Sequence, residues 1–374
     1  MTEQLGGMAV VGLVLLLMVL VLVSRLSPKM RLVTAAGLLL RVLGTLGMLA
    51  IIFGLYNGIA DSNSYFNKGR LYWKRMLHGD FGMIFNSVEW AGGEWWGAHF
   101  MYVISAPVAG LLGRGRFGAF LFAALAGFAG LCLMAAAFHR SFPRAPLHRY
   151  AAWLFLFPSL WLWPSVLGKE AVVLLGLGLA MFGFCRPARV SWTPTVLGLL
   201  LIFCIRPQVA AVTVFSMIVA EWMARGQRWT PMRVAQAVVI LAGGSLLIIR
   251  GIALVAVSDT GSEGGVTEYL EYRARHAELG RTAVERTGVV GIARIPAALV
   301  LTLFRPFPWE ANNFISLASS LEIWFMWGMA IFHWRRVLNS LRHWRGSRFL
   351  AMGLPFVLLY SAAFGMIIVN LGIV

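Results

Sequence analysis

The chain has 374 residues, 59% of them hydrophobic and only 13% charged, which inverts the proportions of a water-soluble domain of this length. Its net charge of +17 is carried mostly by short connections between apolar runs. That distribution matches cytoplasmic retention of Lys and Arg during membrane insertion, and the nucleic-acid reading of a basic protein is set aside.

A hydrocarbon core about 30 Å thick needs about 20 mainly apolar residues per helical crossing, and runs of this kind recur from Met8 to Val374. They are apolar on every face, as Val10 to Val23 illustrates, whereas a membrane barrel would alternate. The predicted fold class is all-α, a polytopic membrane protein with about 10–12 transmembrane or re-entrant helices in a single membrane domain, 1–374. In chain order the expected crossings are residues 8–23, 32–56, 100–112, 117–138, 150–166, 171–185, 192–204, 208–223, 234–256, 296–304, 314–332 and 349–374. The first is read as a retained helix, because no basic n-region precedes it and no small-x-small site follows. Cys132, Cys185 and Cys204 show no spacing of a disulfide framework or zinc site.

Basic clusters at Arg25–Arg31, at Arg140, Arg144 and Arg149, at Arg186–Arg189, at Arg225, Arg228 and Arg233, and at Arg335–Arg348 are assigned to the cytoplasmic side. The outer connections are then residues 57–98 and 258–294, the Gly168-Lys169-Glu170 turn, Arg206-Pro207, and Arg305 to Asn313. Parity breaks between Ala98 and Arg140: either the stretch from Phe100 to Leu112 is re-entrant, or the charge rule fails at one loop. Pro296 to Phe304 must likewise dip in and return if Arg305 is outside. Thr267 to Gly280 reads as a short external helix with Glu271 and Arg275 at i,i+4 spacing.

Four interruptions carry the chemistry. Asp61-Ser62-Asn63-Ser64-Tyr65 opens the long outer loop; its carboxylate accepts a proton, ligates a divalent cation, or simply forms an Asx turn or N-cap. Phe157 to Glu170 contains Pro158 and Pro164, which break helix and free carbonyls, and then Lys169 and Glu170 start the next helix. That helix start favours an anion such as phosphate, against the plainer reading of a snorkelling Lys and a first-turn Glu. Arg206-Pro207 places a guanidinium close to hydrocarbon, where it has a partner or a role, and Arg41 inside the second apolar run raises the same question. Phe304 to Asn313, with Arg305, Pro306, Trp309 and Glu310, is either a shaped cover over a cavity or a surface turn anchored by Trp309; Glu322 follows.

Asp61, the Pro158-Ser159 to Lys169-Glu170 stretch and Arg206-Pro207, covering roughly Asn57 to Gln208, together resemble bacterial polytopic membrane proteins related to GT-C-type glycosyltransferases; Arg305 to Glu310 extends the similarity. The resemblance implies a multi-pass protein of the bacterial inner membrane that transfers a sugar from a polyprenyl phosphate or diphosphate to a saccharide acceptor at the outer face. Asp61 matches the family's loop carboxylate, a general base or metal ligand. Lys169, Arg206 and Arg305 would neutralise the departing lipid phosphate, with Glu170, Glu310 and Tyr65 in the substrate site. The adjacent acidic pair of some members is missing at Asp61-Ser62, which leaves a divalent cation open, with Asp80, Glu89 and Glu94 as other acids. The rival classes are a transporter or flippase of an anionic lipid-linked substrate and a non-catalytic subunit of an envelope assembly. Expected partners are membrane lipid, donor and acceptor, and no nucleic acid.

Overall fold

The structure is a computed structural model describing residues 2–86, 95–113, 115–186, 190–224, 295–311, 314–342 and 346–367. The expected crossing 234–256, the outer segment 258–294 with its helix at Thr267 to Gly280, and Glu89, Glu94, Arg225, Arg228 and Arg233 lie outside these residues. Among the described residues every regular element is helical, and the chain divides into two compact units, Met1–Arg206 and Pro207–Val374, each treated by itself. Three helices among the described residues are long and apolar enough to cross a membrane: α1 (Thr2–Val23), through its stretch Gly6–Val23, α2 (Pro28–Gly54) and α6 (Arg116–Ser141).

The other helices of the first unit are α3 (Asp61–Leu77), α4 (Gly82–Phe85), α5 (Ala98–Leu111), α7 (Leu147–Leu156), α8 (Pro158–Leu162), α9 (Lys169–Phe184) and α10 (Trp192–Ile205). Ser27 caps α2 by accepting from Met30 N, and Pro28 fits the first turn, whose amide would have no partner. The helix ends at a turn where Asn57 and Gly58 both take positive φ, and Asn63 Nδ2 donates to Gly58 O at 2.9 Å across that turn.

Helix α3 occupies sequence read as an outer loop. It buries Ser62, Tyr65, Phe66, Gly69 and Tyr72, a stripe at helical spacing, and α5 runs alongside it in the same direction. Gly69 lies against Ser105 backbone, and Tyr65 meets Tyr102 with ring centroids 5.6 Å apart. Both ends of α5 are tied to one end of the bundle. Gly97 N donates to Cys204 O at 2.8 Å just before Arg206, and Leu112 packs on Gly6, which itself lies against Gly118 at the start of α6. Helix α5 thus begins and ends at the same end of the bundle, and α6 runs from the Asp61 end to Arg140.

The expected run 150–166 is two helices. Phe157 is extended before Pro158, as a residue preceding proline must be, and Pro158 opens α8. Three carbonyls around the break have side-chain donors: Leu156 O takes Trp161 Nε1 at 3.2 Å, Leu160 O takes Arg41 Nη1 at 3.1 Å, and Trp161 O takes Ser165 Oγ. Arg41 is therefore the device that makes this break tolerable. It is 1% exposed, its guanidinium also lies 5.1 Å from the Phe128 ring centroid, and nothing among the described residues accepts from its Nε and Nη2.

Small residues let α6, α9 and α10 approach backbone to backbone. A Cβ on Gly178 would collide with the Gly130 carbonyl, and one on Gly198 with the Gly176 carbonyl. Arg140 Nη1 donates to Phe182 O at 3.1 Å, which joins the far ends of α6 and α9 beside Arg186. The basic clusters 25–31, 140–149 and Arg186 thus occupy one end of the unit, while Asp61, Lys169, Glu170 and Arg206 occupy the other.

The second unit contains α11 (Pro207–Ala224), α12 (Ile295–Phe304), a 3-10 turn (Pro308–Glu310), α13 (Phe314–Phe332), α14 (Trp334–Arg342) and α15 (Arg348–Ile367). Helix α15 packs on α11 and α12, and Arg348 Nε donates to Glu221 Oε2 at 2.8 Å.

Candidate functional site

Asp61 is the first residue of α3, and the N-cap position belongs to Ala60, whose side chain makes no capping bond. The carboxylate is therefore not the helix cap that the sequence left open. It sits exposed in the first turn, where the helix dipole favours its charge. Lys169 and Glu170 occupy the first turn of α9 behind an extended Gly168, and Arg206 follows the last residue of α10. Helices α9 and α10 are antiparallel neighbours, so this start and this end coincide: Arg206 Nη2 donates to Glu170 Oε1 at 2.7 Å.

Tyr65 joins the two halves. It is 4% exposed and packs in one apolar cluster with Leu167, Ala171 and Ile205, the residues flanking Lys169, Glu170 and Arg206. Burial raises its phenol above the usual tyrosine range, the Asp61 and Glu170 carboxylates raise it further, and Arg206 opposes them. The structure therefore places Asp61, Glu170 and Arg206 each within electrostatic reach of Tyr65, with Arg206 paired to Glu170 and Lys169 next to Glu170 on the same turn.

Sequence reasoning missed the groups that fix the first turns of α3, which begin at Asp61. Arg116 Nε donates to Asn63 Oδ1 at 2.7 Å, and its guanidinium lies over the rings of Phe53 (5.1 Å) and Phe66 (5.5 Å). This arginine locks the start of α3 to the start of α6. The available signal was Arg116 standing immediately before the apolar run 117–138. Tyr102, on α5 beside Tyr65, was equally hidden in a run read as hydrophobic.

Asp80 does not join the cluster as a second acid. Arg75 Nε reaches its Oδ2 at 2.6 Å and Gly82 N its Oδ1 at 2.9 Å, and these bonds hold the carboxyl below its ordinary range. Among the described residues, no group of three or more His, Cys, Asp or Glu could hold a metal ion.

Arg305 and Glu310 belong to the second unit. Arg305 donates from Nε at 3.0 Å and from Nη2 to Glu310 Oε1, and Glu310 Oε2 accepts from Phe307 N at 3.1 Å. The Arg305-Pro306 peptide is cis, Phe307 stacks on Trp309, and Trp327 Nε1 donates to Leu303 O at 2.7 Å. The segment has one held shape, closed by its own ion pair, with Trp309 projecting from it and 77% exposed.

No family model, curated protein or solved structure matches this chain.

Proposed function

We propose that the chain is a polytopic protein of the bacterial inner membrane that transfers a sugar from a polyprenyl phosphate carrier to a saccharide acceptor at the outer face. The observation carrying this reading is that Asp61, Glu170 and Arg206 all lie within electrostatic reach of the buried Tyr65, at the end of the first unit opposite its arginine-rich end. An exposed carboxylate and two cations at the same end of the unit suit a reaction that needs a base and an anion site together. The acceptor oxygen bonds to the anomeric carbon as the bond from that carbon to the phosphate oxygen breaks. The hydroxyl proton passes to Asp61. The leaving phosphate keeps the electron pair, and Lys169 and Arg206 stabilise its charge, Arg206 turning from Glu170 toward the anion. A divalent cation, if required, falls to Asp61.

Purified protein in lipid nanodiscs, given labelled polyprenyl-linked sugar and an acceptor, releases lipid phosphate. Asp61→Asn abolishes release, and Arg206→Gln lowers it by about 10²-fold or more, as loss of a charge-stabilising group does. Full release by Asp61→Asn sinks the role of Asp61.

One observation favours a transporter instead. Helices α7 and α8 form a broken helix whose carbonyl binds a buried arginine, and transporters use such breaks. Passage of the lipid-linked sugar across proteoliposomes with its glycan unchanged would select that class.

A further inference from the structure

Helix α14 is exposed along its whole length, Trp334 to Arg342, on its apolar face as well as its polar one. At 100° per residue, Trp334, Val337, Leu338 and Leu341 fall within an arc of about 100°, the width of a buried stripe in a packed helix. Yet these side chains are 54%, 42%, 43% and 41% exposed. Arg335 and Arg342 stand at one edge of the arc, Arg336 on the opposite face, and Asn339 and Ser340 complete the polar side. The helix follows α13 after a single residue, His333, whose carbonyl accepts from Arg336 N at 2.8 Å. No Asp or Glu occurs after Glu322, while Arg335, Arg336, Arg342, Arg345 and Arg348 all do. The stripe therefore needs an apolar partner and the flanking charges an anionic one. A water-facing helix satisfies neither demand.

We infer that α14 lies in the plane of a membrane surface, its Trp334, Val337, Leu338 and Leu341 face sunk among acyl chains and its arginines on anionic lipid headgroups. This rests on the membrane reading proposed above and adds which lipid class the protein binds, and where. Short amphipathic basic helices bind in this way through apolar burial plus attraction to anionic lipid. The arginine-rich surroundings assign it to the cytoplasmic leaflet.

The test uses the full chain with Cys132, Cys185 and Cys204 replaced by serine and one spin label at Leu338→Cys, Ser340→Cys or Leu16→Cys, in nanodiscs with or without phosphatidylglycerol in phosphatidylcholine. With phosphatidylglycerol, the label at 338 collides with oxygen and is shielded from a water-soluble nickel chelate, and the label at 340 does the reverse. Replacing Arg335, Arg336 and Arg342 by glutamine lifts the helix, each loss shifting the seated population about fivefold. A nickel-accessible label at 338 in anionic nanodiscs overturns the inference. Shielding of 338 from both reagents also overturns it, since protein, either a second copy or a partner, then covers the stripe. Leu16 separates the failures: if it lies in hydrocarbon while 338 is wet, only this inference falls, whereas a wet Leu16 removes the membrane reading and this one with it. The unsubstituted chain gives an independent reading, because trypsin should cut after Arg335, Arg336 and Arg342 more slowly in anionic than in neutral nanodiscs. Equal rates count against the inference.

Discussion

Arg206 and Glu170, 36 positions apart, meet at 2.7 Å because one ends a helix and the other begins its antiparallel neighbour. The Glu170 side chain is 44% exposed and that of Arg206 18%, so solvent screens much of their attraction. In a double-mutant cycle with Glu170→Gln and Arg206→Gln, unfolding followed in detergent should give a coupling of about 0.2–1 kcal/mol. A pair built for chemistry leaves stability nearly intact while activity falls. A coupling above about 2 kcal/mol would instead make it a structural clamp.

Tyr65 gives the site a pH signature. Its phenol is raised in the folded chain, first by burial and then by Asp61 and Glu170, whereas an unfolded tyrosine ionises near pH 10. Below about pH 10 both states hold the proton and its contribution is constant; above it the unfolded state loses the proton first, so stability falls as pH rises. Denaturation midpoints measured from about pH 9 upward should decline less steeply in Tyr65→Phe than in the parent. Parallel slopes would mean that the phenol is not so buried.

The close crossing of α6 and α9 should tolerate no added methyl. At Gly178 a Cβ meets the Gly130 backbone, which cannot swing aside, and Gly178→Ala should cost about 1–3 kcal/mol or more. Gly47 is the control: its Cβ would touch only Leu162 Cδ1 at 3.9 Å, and Gly47→Ala should stabilise α2 by about 0.5–1 kcal/mol. Thermal unfolding of both variants in the same detergent checks the contrast. Equal melting temperatures would refute the packing at Gly130.

Arg116 predicts a local effect. Arg116→Gln removes a charged donor to Asn63 and two ring contacts, together about 1.5–3 kcal/mol at the start of α3. Amide exchange should quicken in the peptide covering Gly58 to Phe66 and stay unchanged in α9. Uniform quickening would mean global destabilisation and no special hold on the start of α3.

The apolar runs are legible because hydrocarbon-like composition needs no partner to be recognised: the expected 314–332 and the observed Phe314–Phe332 coincide, and 192–204 differs from Trp192–Ile205 by one residue. Pro158 and Pro164 marked the break inside 150–166 for the same local reason. Helix α3 escaped because Lys68, Arg70, Lys74 and Arg75 interrupt its apolar residues, so that only the spacing of Tyr65, Phe66, Gly69 and Tyr72 marks it. In the site, Asp61, Tyr65, Lys169, Glu170 and Arg206 were named from residue type. Their mutual geometry was not readable, since the pairing of α9 with α10 follows from Gly176 and Gly198 acting across two helices. Asp80 was weighed as an acid when its proximity to Arg75 already offered the salt bridge.

The guanidinium of Arg41 also imposes an order on synthesis. The carbonyl it binds belongs to Leu160, 119 residues later in the chain, and at about 5–20 residues per second a nascent α2 waits on the order of ten seconds for it. Inserted alone, a helix with arginine at its centre is penalised by about 2.5–3.5 kcal/mol. On the membrane reading, α2 therefore gains its last polar contact only after Phe128 of α6 and the broken α7–α8 segment have arrived.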